Sequence, residues 1–398
     1  MQPILASLIF LIAVTTHAAD WPNFRGPNHD GISTETGCKT DWPTEGPKRI
    51  WKAAIQTGFA SVSVSQGRLY TMGNSNDQDT IWCFDAETGK EIWHHMYHCP
   101  TDPNLFEGGP TSTPTVHDGK VFTLSRRGEV FALDAASGKI LWSTNVAKEL
   151  GAKVPTWGFA GSPLVIDNIL YLNLGTAGTA LDIASGKVVW SNGPKASGYD
   201  TPVPCSIGGQ NAIAFCNAAN VVALETKTGK TLWQHPWKTD YDINAADPIV
   251  SGDMVFVSSG YEHGAALLQI KGADTTVLWE NKNMRNQLSS SILVDGYLYG
   301  MDGNNGHDVT FKCLELKTGK IQWSHAGFGA GSFMIADKKF IILGDKGMLA
   351  IADVSPTSFK PIASAQVLGG KCWTMPVLSN GRIYCRNAKG DLVCLDVK

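Results

Sequence analysis

An all-β ring of eight four-stranded antiparallel blades is the architecture this sequence predicts, and three observations predict it. The first is a phrase that recurs along the 398 residues. It reads Asp85-Ala86-Glu87-Thr88-Gly89-Lys90-Glu91-Ile92-Trp93. It returns from Asp134 to Trp142, Asp182 to Trp190, Glu225 to Trp233 and Glu315 to Trp323. The second is the period. With weaker copies at Trp51 and Trp279, the tryptophans step about 45 residues apart, the length of a propeller blade. The third is composition between them: short β-rich runs with turn signals and almost no helical periodicity.

The elements follow in order. Ile4 to Val14 is apolar and runs into Thr15-Thr16-His17-Ala18, so residues 1–18 read as a secretory signal peptide. Export to the periplasm or the extracellular space follows, with no membrane span in the mature chain. Residues 19–46 are a lead-in, and 47–398 are the propeller. Each unit opens on a small-polar and apolar run, such as Ser112-Thr113-Pro114-Thr115-Val116. A β-rich run follows, such as Val121-Phe122-Thr123-Leu124, and a third run ends in Leu133-Asp134 or its relatives. The Gly-Lys turn then leads into the tryptophan strand.

Eight third strands are countable, ending near Asp85, Asp134, Asp182, Glu225, Ile270, Glu315, Asp353 and Asp396. One fourth strand, Arg49-Ile50-Trp51-Lys52, precedes the first unit. It is predicted to pair with the strand ending at Asp396, which closes the ring and removes its open edge.

The repeated phrase is structural. The carboxylate caps turn amides, Gly supplies positive φ, and Trp is an apolar plate between sheets. A net charge of −3 with 17% charged residues gives no basic nucleic-acid surface. Of nine cysteines, Cys83, Cys313 and Cys394 share a repeat slot that elsewhere holds Ala132, Ala180 and Ala223, so they read as small buried hydrophobes. Export permits disulfides. A two-residue turn at Lys389-Gly390 would oppose Cys385 and Cys394, and Cys205 and Cys216 fall on neighbouring strands.

The Asp-x-x-Thr-Gly-Lys-x-x-Trp phrase resembles the quinoprotein tryptophan-docking motif, and residues 47–398 resemble the PQQ-binding-like β-propeller repeat family. That family includes quinoprotein alcohol dehydrogenases and the propeller lipoprotein of the outer-membrane β-barrel assembly machinery. The segment Asp20-Trp21-Pro22-Asn23-Phe24-Arg25-Gly26-Pro27 resembles the start of small exported members. The resemblance implies the fold. The chain has no adjacent Cys-Cys pair, no Cys-x-x-Cys-His haem site and no lipobox cysteine, so neither named function transfers with it.

Propeller topology puts all loops from tryptophan strand to next inner strand on one face, and all Gly-Lys turns on the other. The loops vary, so function is sought there, at the channel mouth. Trp157 lies outside the docking positions and suits a stacking platform. Asn283, Arg285 and Asn286 form a hydrogen-bonding segment in which Arg285 suits a carboxylate. Lys371 and Trp373 make a cation–aromatic pair. The column Ser61, Thr113, Ser162, Thr201, Asp247, Ser290, Ser332 and Met375 should ring the entrance, with Asp247 its only carboxylate.

Each candidate has a plainer reading as loop packing, solvated loop or wet hydroxyl ring. His94, His95, Met96, His98 and Cys99 have metal-ligand chemistry but lie on strand and loop. Tyr241 to Asp247 offers oxygen ligands of the kind calcium takes. No metal site is assigned. No Gly-x-Ser-x-Gly elbow, phosphate loop or His-Glu-x-x-His motif occurs.

The sequence thus points to an exported non-catalytic scaffold or binding protein. It would hold an envelope protein, another macromolecule or a small ligand at the channel mouth, with no cofactor expected. The alternatives are a quinoprotein-like oxidoreductase using PQQ with calcium, and a carbohydrate or small-molecule binding module.

Overall fold

The computed structural model describes residues 19–304 and 308–398, and the expected signal peptide lies outside them. Eight antiparallel sheets follow one another along the chain. Blade 1 is Ser63–Ser65, Arg68–Ser75, Gln78–Asp85 and Glu91–His98, running from the axis outward. Blade 8 is completed as predicted: Arg49–Ala54 pairs with Asp391–Asp396, with Trp51 opposite Cys394. Among the described residues the one α-helix is Val146–Leu150, capped by Asn145 and Gly151. No described helix is long and apolar enough to cross a membrane.

The repeated phrase docks blade to blade. The Trp93 indole donates to the Ala135 carbonyl (3.1 Å), Trp142 to Ile183 (2.8 Å), Trp190 to Thr226 (3.0 Å) and Trp279 to Leu316 (2.8 Å). Each accepting carbonyl belongs to the turn of the next blade, so each of these four indoles bridges a junction. The turn glycine is obligatory twice over. At Gly138, φ is 70°, and an added Cβ would sit 2.5 Å from the Trp93 ring. In all eight outer strands a register shift leaves one residue unpaired just before the docking position, as between Ile140 and Trp142. This bulge aims the indole at its neighbour and spoils a flat outer edge for aggregation.

The small slot lies directly across from the indole. Cys83 faces Trp93, Cys313 faces Trp323 and Cys394 faces Trp51, just as Ala132 faces Trp142. All three cysteines are buried, and burial raises each thiol pKa. The two suggested disulfides do not form. The turn after Arg386 is one residue longer than a two-residue hairpin, so Cys385 faces Val393 and points away from Cys394. Cys205 faces Ala212, and Cys216 faces Val221. All nine cysteines are free thiols.

The lead-in crosses the ring on the side of the Gly-Lys turns. Trp21 exchanges two 2.8 Å backbone bonds with Val64 of blade 1, and Pro22 accepts from Val116 of blade 2. Ile32–Ser33 adds a parallel fifth strand to the inner strand Ser332–Ala336 of blade 7. The Glu35 carboxylate then accepts from the Asn380 and Gly381 amides of blade 8 (2.6 and 2.8 Å). Residues outside the repeat therefore tie the neighbouring blades 7, 8, 1 and 2 together and floor the channel.

Candidate functional site

The channel is a cup of about 580 Å³, open on the loop face. Phe24, Arg25 and Gly31 of the lead-in contribute its base, and the predicted column contributes its wall. That wall is a hydrogen-bonded belt. The Ser61 amide donates to Thr113 Oγ1 (3.0 Å), Thr113 to Ser162 Oγ (2.9 Å) and Ser162 to Thr201 Oγ1 (2.9 Å). Thr201 donates to Asp247 Oδ1 (2.9 Å), and Asp247 to Ser290 Oγ (2.9 Å). Ser61 Oγ reaches back to the Met375 carbonyl (3.0 Å). Small hydroxyl residues recur here because each must accept the amide of the preceding blade's member.

Asp247 replaces a hydroxyl in this belt and is buried. Its Oδ2 lies 3.6 Å from Arg25 Nη1, an ion-pair distance too long for a hydrogen bond. Neither Asp247 Oδ2 nor Arg25 Nε has a hydrogen-bond partner among the described residues. Burial raises the Asp247 pKa, against the pull of Arg25 and two hydrogen bonds, and burial lowers that of Arg25. Asp200 also lines the cup, but its oxygens are taken by the Cys216 amide (2.6 Å) and Asn173 (2.6 Å). Burial and then Asp247 push its pKa well above the usual carboxylate range.

The rim is aromatic. Phe59 stacks on Trp373 at 5.4 Å, Trp157 meets Tyr199 edge-on at 6.1 Å, and Tyr241 meets Tyr261 at 5.8 Å. Leu105 and Tyr241 stand out to solvent, at 91% and 71% exposure. Leu105, Tyr241 and Tyr261 all have positive φ (64°, 66° and 55°), a left-handed conformation that these side chains disfavour. The loop carrying Leu105 is pinned by a Lys371–Glu107 ion pair (2.8 Å) and by Arg127 to Asp102. The loop carrying Phe59 is held by fully buried Arg386. Its guanidinium donates to the Ala60, Met72 and Gly58 carbonyls (each 2.8 Å), and burial drops its pKa to about 9.

Of the residues singled out from sequence, Trp157, Asp247 and Trp373 line the cup. Lys371 sits beside it, with its ammonium 4.3 Å from the Trp373 ring centroid. Asn283, Arg285 and Asn286 do not line it. Asn283 donates to the Gly319 carbonyl of a turn, and Arg285 forks onto Asp302 (both 3.0 Å). Asn286 is buried, bonded to Met301 and Ser291. His94 pairs with Glu91 (2.7 Å), and no three His, Cys, Asp or Glu side chains converge on a metal position among the described residues. Sequence reasoning missed Arg25, Phe59, Phe106, Tyr199 and Tyr261. For Arg25 the signal was a Trp-Pro-Asn-Phe-Arg run outside the repeat.

The fold and the site define an eight-bladed, tryptophan-docked PQQ-like propeller whose loop face opens into a floored cup. The chain belongs to the family described as outer membrane protein assembly factor BamB, which matches residues 78–325. A relative of that name from Yersinia pestis is 24% identical over 358 residues, covering 87% of this chain and 77% of the relative. The crystal structure of BamB from Moraxella catarrhalis superposes with a TM-score of 0.64 at 14% identity, covering 88% of this chain and 99% of that one. A europium-containing methanol dehydrogenase superposes at 0.71 and 13% identity, covering 95% and 89%. At such identities the two structures share the fold.

Proposed function

We propose that this chain is an exported, non-catalytic binding scaffold that holds an envelope protein on its loop-bearing face. The observation that carries this is the mouth of the cup. Leu105 and Tyr241 are large, apolar, solvent-exposed and held in unfavourable backbone conformations around a cavity. Rigidly presented side chains of this kind anchor protein interfaces. The family and the named relatives support a partner in outer membrane protein assembly, and the apolar N-terminal segment supports export.

The quinoprotein alternative is weaker here. Calcium takes six to eight oxygen ligands. Among the described residues the one open carboxylate oxygen in the cup is Asp247 Oδ2, with a guanidinium 3.6 Å away that opposes a divalent cation. The residues present do not fit a calcium-held PQQ, and none is assigned a catalytic role.

The test replaces Leu105 and Tyr241 together by Glu in the full chain and crosslinks it in its own cells. The partner adduct is expected to fall about tenfold, which is ~1.4 kcal/mol of binding. An undiminished adduct would move the interface elsewhere.

A further inference from the structure

We infer that the cup also binds a neutral saccharide, its hydroxyls bridging the belt and Asp247 while its ring faces lie on the aromatic rim. The inference rests on the reading that the loop-face mouth is a binding site, and it names a second class of ligand for it.

The belt sets the first requirement. Thr113, Ser162, Thr201 and Ser290 each spend an oxygen lone pair on a neighbouring amide. Among the described residues the hydroxyls of Thr113, Ser162 and Thr201 donate to no protein acceptor, so they offer protons to the cup. A ligand has to supply acceptors. The floor sets the second requirement. Asp247 Oδ2 is buried without a donor, so a ligand has to supply donors as well. A buried polar atom left unmet is destabilising, and a ligand hydroxyl removes that penalty.

Charge narrows the class. Where the wall meets the floor, the Arg25 guanidinium and the Asp247 carboxylate lie side by side, and the other lining carboxylate, Asp200, is spent on Cys216 and Asn173. An anionic ligand would meet Asp247 and an ammonium ligand would meet Arg25, so the site favours a neutral molecule. A hydrocarbon ligand would leave both the belt and Asp247 unmet. A neutral molecule that donates and accepts at adjacent atoms is a polyol.

The rim selects a cyclic polyol over a linear one. Phe59, Phe106, Trp157, Tyr199, Tyr241 and Tyr261 line the mouth. Sugar rings have apolar C–H faces flanked by hydroxyls, matching aromatic plates above a polar belt. Trp373 is the poorest platform, since Phe59 and the Lys371 ammonium already lie on its ring. A volume of about 580 Å³ falls within the range of about 300–1,000 Å³ for small-molecule sites.

The experiment is calorimetric titration of the full chain with maltotriose, cellotriose, chitotriose and the acidic trimer trigalacturonate. At least one neutral trimer is expected to bind with a Kd of about 10 μM to 1 mM, and trigalacturonate more weakly. Trp157→Ala and Asp247→Asn should each weaken the neutral ligand at least about tenfold. Asp247→Asn alters a buried pair and risks the fold, so Tyr241→Ala, at an exposed position, provides the second arm and should also weaken binding. Silence from every neutral trimer overturns the inference. So does binding indifferent to Trp157→Ala and Tyr241→Ala, or equal binding of trigalacturonate. If the sugars are silent while the Leu105 and Tyr241 crosslink persists, the scaffold reading stands and the saccharide falls. If sugars bind and the crosslink is indifferent to those residues, the reverse holds.

Discussion

The two faces of this ring are built by opposite rules. On the turn face one short phrase repeats: its carboxylate caps its own turn, its glycine lies against the indole of the preceding blade, and most of its indoles donate to the next blade. On the loop face every connection differs, and side chains are held with groups unspent: Asp247 Oδ2, the belt hydroxyls of Thr113, Ser162 and Thr201, the exposed Leu105 and Tyr241. Uniformity marks where the chain satisfies itself, and irregularity marks where it leaves something for a ligand. Blade 5 sharpens the point within the turn face. Its turn, Lys271-Gly272-Ala273-Asp274, lacks the phrase, and Trp233 of blade 4 finds no hydrogen-bond partner there. Contact passes instead between outer strands, with His235 Nδ1 2.9 Å from Thr275 Oγ1.

The largest effects should come from breaking the self-satisfied parts. Trp93→Ala removes a buried indole from the first junction and should cost about 3–5 kcal/mol in denaturant melts. Arg25→Ala leaves Asp247 buried and unpaired, and a loss of about 3–5 kcal/mol is expected. Gly138→Ala meets the Trp93 ring as well as a positive φ, so about 2–4 kcal/mol is expected. Gly272→Ala, at φ 61° with nothing within 4 Å, should cost only the backbone component of about 1–2 kcal/mol. Equal costs would mean that the glycine is chosen for its turn alone.

Acid should loosen the floor next. Burial, and then Arg25, push the His29 pKa down to about 4. Below pH ~6.5 the unfolded chain takes up a proton that the folded chain refuses until about pH 4, so stability falls across that window. His29→Gln should flatten part of the fall in Tm measured from about pH 7 to 4. Smallest of all, Tyr241→Ala on the loop face should change stability by less than about 0.5 kcal/mol while weakening binding.

The turn face was legible because repetition averages over local noise. Seven tryptophans in step gave the period, eight third strands gave the blade count, and the strand left over at Trp51 gave the closure. The Ala-or-Cys slot was legible for the same reason, and its cause is now visible: it lies under an indole. The belt column was legible in position but not in function, since amide-to-hydroxyl bonds cross from one blade to the next.

The loop face was read less well. Asn283, Arg285 and Asn286 looked available, but Asp302 and the Gly319, Met301 and Ser291 groups claim them within blade 6 or its turns. Cys385 and Cys394 were misaligned by one turn residue, which is enough to flip a side chain to the other face of the sheet. Arg25 lay outside any repeat, so no aligned copy revealed that it reaches Asp247 more than two hundred residues away in the chain.

The contrast between the faces can be measured directly. A photocrosslinking amino acid is placed at Leu105 on the loop face and, in a second chain, at exposed Lys139 on the turn face. Both are activated in the chain's own cells. Adducts from Leu105 and none from Lys139 are the predicted result. Adducts from Lys139 alone would contradict the assignment of binding to the loop face.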